Sequence, residues 1–364
     1  MPLTHEEKAR YARHLSLPGF GAAAQERLKA GSVLVIGAGG LGCPALLYLA
    51  AAGVGRITVV DDDRVDASNL QRQVLFTEAD MGRPKAEAAA RRLRDLNPLV
   101  AVEARNERLT RGNAAALVAA CDVTIDASDN FPTRYLANDA CVLAGRPLVY
   151  GAIQGFEGQV SVFNWKGGPN YRDLFAEPPE PGTVPSCAEA GVLGAVTGLI
   201  GTAQACEAIK ILCGIGEPLS GRLLVWDALS MRSTVMALGR DPAAPAITAL
   251  PEDGYGDACL APGRDEIDAD DLGEMLRAAS PVQLLDVREG WERELESIEP
   301  SKHIPLRFLE SSSGGDLAPF DPSVPTVVYC AAGVRSLRGI QILRERHGYR
   351  AAVSLRGGMK AWRG

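Results

Sequence analysis

Residues 33–42 read VLVIGAGGLG. The opening VLVIG is a continuous apolar run closed by glycine, as a strand buried on both faces of a parallel sheet requires. Gly37-Ala38-Gly39-Gly40-Leu41-Gly42 fits G-x-G-x-x-G, and Leu41 to Ala52 reads as a helix. In that setting the first glycine allows a tight turn and the second lets backbone approach a phosphate. The helix N-terminus adds free N–H groups and the positive end of its dipole. Ile57 to Val60 forms the next strand and ends at Asp61, placed to accept hydrogen bonds from ribose hydroxyls. Taken alone, the stretch says adenine nucleotide, with NAD the commonest reading.

Outward from it the same alternation continues. Pro84 opens a helix, rich in Ala and Arg, that runs to Leu96. Strands are expected near 100–105, 122–127 and 147–151, with a helix from Thr133 to Ala144 between the last two. This predicts a Rossmann-like, doubly wound α/β domain with helices on both faces. Gln159 to Phe163 alternates like an antiparallel strand, Ala190 to Leu212 is a long, mostly apolar helix, and Arg222 to Asp227 is a further strand. Between Ala249 and Gly273 eight acidic residues face a single Arg, among prolines and glycines, which predicts a solvated linker running into an Asp-capped helix. Beyond it, QLLDV (283–287) and TVVYC (326–330) read as strands and Arg335 to Arg346 as a helix. The expected division is a nucleotide-binding domain over 1–248, a linker over 249–264 and a smaller α/β domain over 265–364.

Composition bounds the function. The 364 residues are 46% hydrophobic and 23% charged, ample for a core, so disorder is excluded as the main state. A net charge of −7 argues against nucleic acid as the main partner. The richest apolar stretches are short or interrupted, and the N-terminus, MPLTHEEKAR, is charged at once. No membrane association is therefore expected. Eight scattered cysteines with no C-x-x-C pair suit reduced thiols in the cytoplasm.

Charge around the glycine turn narrows the chemistry. Asn69-Leu70-Gln71-Arg72-Gln73 follows Asp61, Lys85 opens the next helix, Asp129-Asn130 follows the strand at 122–127, and Arg13 stands near the N-terminus. Hydride transfer has little use for so many cations. Nucleotidyl transfer does, because Arg and Lys spread the charge building on the α-phosphate and the leaving pyrophosphate while a carboxylate holds Mg²⁺. GAGGLG, VVDDDRVDASNLQRQ, GRPKAE, DASDN and VPSCAEAGVLG together resemble the E1-like adenylyltransferases of the MoeB/ThiF type, over residues 5 to about 240.

That resemblance implies that ATP adenylates the C-terminal glycine of a ubiquitin-like sulfur carrier. It implies nucleotide contacts from Gly37, Gly39, Gly40, Gly42, Asp61, Asn69, Arg72, Gln73, Lys85, Asp129 and Asn130. Asp61 holds the ribose, Asn69, Arg72 and Lys85 the phosphates, and Asp129 the Mg²⁺. Arg13 reaches the ATP of the partner subunit in a homodimer. Such enzymes often carry zinc in two C-x-x-C pairs; here those places read Asn170-Tyr171-Arg172-Asp173 and Ala244-Pro245-Ala246-Ile247, without a thiolate. No zinc is expected, and packing alone is expected to hold the region.

Two cysteines stand apart. Cys187, in Pro185-Ser186-Cys187-Ala188-Glu189-Ala190, precedes the long helix, whose dipole favours a thiolate. By the resemblance it captures the acyl group as a thioester or resolves an acyl disulfide. Cys330 ends a strand and begins Cys330-Ala331-Ala332-Gly333-Val334-Arg335-Ser336. Such a loop aims backbone N–H groups at the sulfur, with Arg335 expected to add charge. With LLDVRE (284–289), HIP (303–305) and LRGGMKAW (355–362), the tail resembles a rhodanese domain. A phosphatase cradle puts one more residue between Cys and Arg than the four found here.

An adenylating domain joined to a persulfide carrier implies a carrier protein ending in Gly-Gly, converted to a thiocarboxylate, with cysteine desulfurase or thiosulfate as sulfur donor. The rival readings are protein or peptide conjugation without sulfur, an NAD-dependent oxidoreductase, and a non-enzymatic carrier-binding scaffold.

Overall fold

The computed structural model describes residues 2–178, 191–242, 244, 246–251, 255, 265–278, 281–311 and 320–362. They divide into two compact units, one carrying the described residues up to Tyr255 and the other those from Asp265 onward.

The first unit opens with α1 (His5–Arg10), α2 (Ala12–Leu15) and α3 (Gly21–Ala30). β1 (Ser32–Ile36) is buried throughout, as the apolar run predicts. There follow α4 (Gly42–Ala52), β2 (Arg56–Val60), α5 (Lys85–Leu96), β3 (Ala101–Arg105), α6 (Arg111–Ala119), β4 (Val123–Asp126), α7 (Phe131–Ala144) and β5 (Leu148–Gln154). Then come β6 (Glu157–Phe163), α8 (Gly194–Cys213), β7 (Arg222–Asp227) and β8 (Arg232–Ala237). The sheet runs β3-β2-β1-β4-β5-β6-β7-β8, parallel through β5 and antiparallel after it. One core packs Leu28, Leu46, Leu93 and Ile200, from α3, α4, α5 and α8, on one face; another packs Val118, Tyr135 and Leu136, from α6 and α7, on the other. The doubly wound architecture read from the sequence is the one observed.

Among the elements of the first unit, the long helix starts later than expected and the edge strand β8 was not expected. α8 begins at Gly194, because Val192 bridges to Gly155 and Leu193 stays extended as its N-cap. Long and apolar enough to cross a membrane, α8 instead packs as a core helix, with Val196, Ile200, Ala205 and Ala208 buried. β8 carries no alternation in its sequence, because all six of its residues are exposed at the edge of the sheet.

The second unit contains β9 (Glu266–Ile267), α9 (Ala269–Arg277), β10 (Gln283–Asp286), α10 (Gly290–Leu295), β11 (Ser301–His303), α11 (Leu306–Ser311), β12 (Thr326–Tyr329), α12 (Val334–His347), β13 (Ala352–Leu355) and α13 (Gly358–Trp362). Its sheet is all parallel, ordered β11-β10-β12-β13-β9.

The segment without thiolates at 170–173 is not held by packing alone. Arg172 grips the buried Asp139 carboxylate with Nε at 2.9 Å and Nη2 at 2.8 Å, and Tyr255 donates to the same carboxylate at 2.7 Å. The guanidinium lies over the rings of Tyr135 and Tyr255, at 5.0 and 5.8 Å. Asp173 accepts from the Asp241 amide at 2.8 Å, joining the segment to the chain approaching 244–247. These donors are committed to one another and do not fit a zinc ion.

Candidate functional sites

Register brings the nucleotide residues together. Ile36 at the end of β1 pairs with Val60 of β2 on one side and Asp126 of β4 on the other. Gly37, Asp61 and Ala127 therefore leave three adjacent strands at one level, where the strand order reverses, and open sheets of this kind bind ligands there. Gly37 turns at φ +94°, and a side chain on it would meet the Ala127 carbonyl. A side chain on Gly42 would strike the Gly37 carbonyl. Gly39, by contrast, faces open space up to the Gln73 amide, 3.9 Å from where its Cβ would sit. The backbone is bare over Gly39, where the sequence reading expects a phosphate to approach.

Asp61 accepts from the Ala38 amide at 2.7 Å and from the Asp63 amide at 2.9 Å. Burial raises its carboxyl above the usual range, against the pull of those amides and of Lys85. Lys85 pairs with the exposed Asp63 at 2.9 Å, and the Arg72 guanidinium donates to the Ser68 carbonyl at 3.0 Å. Cys43, just inside α4, feels both cations, but burial dominates and pushes its thiol up to about 12. Asn69 closes a short 3₁₀ turn by accepting from the Asp66 amide. Gln73 is buried with an unpartnered Oε1. Asp129 is exposed just past β4, and Asn130 caps α7 by accepting from the Thr133 amide at 2.9 Å. Arg13 is exposed on α2 and makes no ion pair among the described residues.

Sequence reasoning missed four supports. Asp126 is fully buried and accepts from the Ser128 amide and hydroxyl at 3.0 and 2.6 Å, shaping the turn that presents Asp129; its Oδ2 is unpartnered. Gln204 of α8 donates to the Asp126 carbonyl at 2.6 Å. Gly194 lies against Gln71 and Arg72, and the Thr197 methyl packs on Gly40, so the first turn of α8 abuts both the Gln71–Arg72 segment and the glycine turn. The small residues of GVLGAVTG were the available signal. Cys187 lies outside the described residues.

A single carboxylate suits Mg²⁺, which takes most of its ligands from phosphates and water. Among the described residues no cluster of three metal-binding side chains occurs. Asp129, exposed beside the glycine turn, fits that role.

In the second unit Cys330 follows β12 and is buried. Its Sγ accepts from the Gly333 amide at 3.1 Å, and the Ser336 hydroxyl lies 3.5 Å away. The Cys330 and Ala331 carbonyls are taken by the Met359 and Lys360 amides of α13, at 2.8 and 3.1 Å. The loop thus turns its carbonyls toward α13. A side chain on Gly358 would strike the Cys330 carbonyl. Arg335 forms a bidentate pair with Glu292 of α10, both contacts 2.7 Å, so a carboxylate balances the charge expected at the sulfur. Burial works to raise the Glu292 carboxyl, but Arg335 and the Glu289 amide outweigh it and hold it below the usual range.

Residues 11–246 match the ThiF family, and residues 268–364 match the rhodanese-like domain. The chain is 47% identical over 371 residues to a probable adenylyltransferase/sulfurtransferase MoeZ of Mycobacterium tuberculosis, covering 99% of this chain and 94% of that one. It is 55% identical over 250 residues to a sulfur carrier protein adenylyltransferase of Thermus thermophilus, covering 67% of this chain and 92% of that one. The crystal structure of Escherichia coli MccB superposes with a TM-score of 0.58 at 23% identity, covering 66% of this chain and 72% of that one, a likeness of fold.

Proposed function

The chain belongs to the ThiF family and carries a rhodanese-like domain behind it, and on that premise we propose that its two sites act in turn on one substrate, the C-terminal glycine of a ubiquitin-like carrier ending in Gly-Gly. It is an adenylyltransferase and sulfurtransferase, so its nucleotide is ATP. The oxidoreductase, scaffold and sulfur-free conjugation readings have no such support.

The carrier carboxylate attacks the α-phosphate of ATP; a P–O bond forms and the bond to pyrophosphate breaks, leaving an acyl-adenylate. The glycine turn and the α4 N-terminus cradle the phosphates, Asp61 orients the ribose, and Asn69, Arg72 and Lys85 bind the polyphosphate. Gln73 and Asn130 complete the wall. Mg²⁺, held by Asp129, supplies charge neutralisation when bound. Lys85 exchanges Asp63 for phosphate. In a homodimer Arg13 serves the partner's nucleotide.

Cys330, loaded with sulfane sulfur from a cysteine desulfurase or thiosulfate, attacks the acyl carbon through its terminal sulfur, and AMP leaves. The product is an acyl disulfide on Cys330. The Cys187 thiolate attacks the Cys330 sulfur, the S–S bond breaks, and the carrier leaves as a thiocarboxylate, with a Cys187–Cys330 disulfide left for an external thiol to reduce. In the thioester variant Cys187 first displaces AMP from the adenylate and the persulfide then displaces Cys187. The observation that carries this reading is a cation-lined glycine turn and an amide-capped cysteine loop on one chain. With purified carrier, Cys330→Ala is expected to retain ATP–pyrophosphate exchange and to stop thiocarboxylate formation, read by intact-carrier mass. Thiocarboxylate from the variant refutes the sulfur route.

A further inference from the structure

Beneath the Cys330 loop lie two fully buried hydroxyls, Ser336 of α12 and Ser354 of β13. Their oxygens are 2.8 Å apart, and Ser336 Oγ is also 2.8 Å from the Gly333 carbonyl and 3.5 Å from Cys330 Sγ. Ser354 has no other side-chain partner among the described residues, so a satisfied Ser354 hydroxyl donates to Ser336. That donation fixes the direction of the chain. The Ser336 proton is left to choose between the Gly333 carbonyl and the sulfur.

We propose that Ser354 and Ser336 form a hydroxyl relay that turns its terminal proton onto Cys330 whenever the sulfur carries negative charge. With Cys330 as a thiol, Ser336 donates to the Gly333 carbonyl and can accept the S–H. When the thiol loses its proton to the medium, or bears a persulfide, the Ser336 O–H rotates to the sulfur and joins the Gly333 amide there. The rotation leaves nothing unsatisfied, because the Gly333 carbonyl still accepts from the Leu337 amide at 3.2 Å. Ser336 is the donor; Ser354 is a positioning residue that acts through it.

The charged and titratable groups on the surrounding elements are largely held by other partners. Arg335 on α12 pairs with Glu292 on α10, Asp286 at the end of β10 pairs with Arg288, and Arg356 after β13 pairs with Glu266 and Asp268. His303 bonds the Arg288 carbonyl, and the Tyr329 hydroxyl bonds Ser301. Lys360 lies on α13. The relay is the uncharged source of a movable proton at the sulfur.

The proposal rests on Cys330 as the sulfur-carrying residue, and its test separates the two claims. Thiolate absorbance is titrated in the full-length protein, as the difference between each variant and the same variant also bearing Cys330→Ala. Ser336→Ala is expected to raise the midpoint by about one pH unit, since a hydrogen bond to a charged group is lost. Ser354→Ala is expected to shift it the same way by less, and Ser336→Thr to restore it. A folded Ser336→Ala variant with an unmoved midpoint overturns the relay. Should that variant fail to fold, an unmoved midpoint in Ser354→Ala overturns it instead. Persulfide uptake from thiosulfate is read separately by mass: wild-type protein that takes up none at Cys330, yet shows the shifts, keeps the relay and loses the sulfur role.

Discussion

At the end of β1 the chain turns through Gly37, at φ +94°, into α4; at the end of β12 it turns through Gly333, at φ +96°, into α12. Both turns sit at the carboxyl end of a central parallel strand and set backbone amides beside a helix N-terminus. Their finish differs. The first is open, with free space over Gly39 and with Lys85 resting on an exposed carboxylate. The second is closed: its carbonyls are bonded to α13, its sulfur is buried, and its arginine is neutralised. One turn leaves room for a ligand to arrive and leave. The other is already filled by its own cysteine sulfur, which is buried.

The comparison can be broken from either side. Gly42→Ala places a methyl on the Gly37 carbonyl, and Gly358→Ala places one on the Cys330 carbonyl. The first is expected to reduce pyrophosphate exchange to background while sulfur uptake persists, and the second to do the reverse. If either variant abolishes both, the turns are not independent. Arg172→Leu leaves the Asp139 carboxylate buried and unpaired, so the first unit is expected to lose about 3–5 kcal/mol, read by chemical denaturation. A loss under about 1 kcal/mol would show that apolar packing holds the region after all.

Asp129→Asn keeps the shape of the open turn and removes its charge; exchange is expected to fall about 10²-fold, with thermal stability unchanged. Glu292→Gln sharpens the contrast at the closed turn, with an expected loss of about 1.5–3 kcal/mol at neutral pH. Since the folded Glu292 carboxyl is held below its unfolded value, its contribution is present above the ordinary glutamate range and disappears as pH falls through the lowered value. The acid-side decline in melting temperature should therefore flatten in Glu292→Gln.

Much of this was readable in the chain. The 33–42 segment specified a buried strand, a glycine turn and a helix, because each follows from local rules that need no partner. Asp61 and Cys330 could be picked out for the same reason, as polar or reactive residues that follow apolar strands. β8 was not, because an edge strand exposed on both faces carries no alternation to detect. Nor was the Arg172–Asp139–Tyr255 staple, whose members lie 33 and 116 positions apart along the chain.

The sequence by itself determined which chemistry the two turns serve, since short motifs dictate where backbone amides and reactive groups emerge. Tertiary structure alone decided how each turn is completed: that Glu292 neutralises Arg335, that α8 abuts the Arg72 segment, and that Ser354 underlies Ser336. The physical reason is range. Turns and caps act over a few residues, whereas burial, ion pairing and hydroxyl orientation depend on groups that only folding brings into contact.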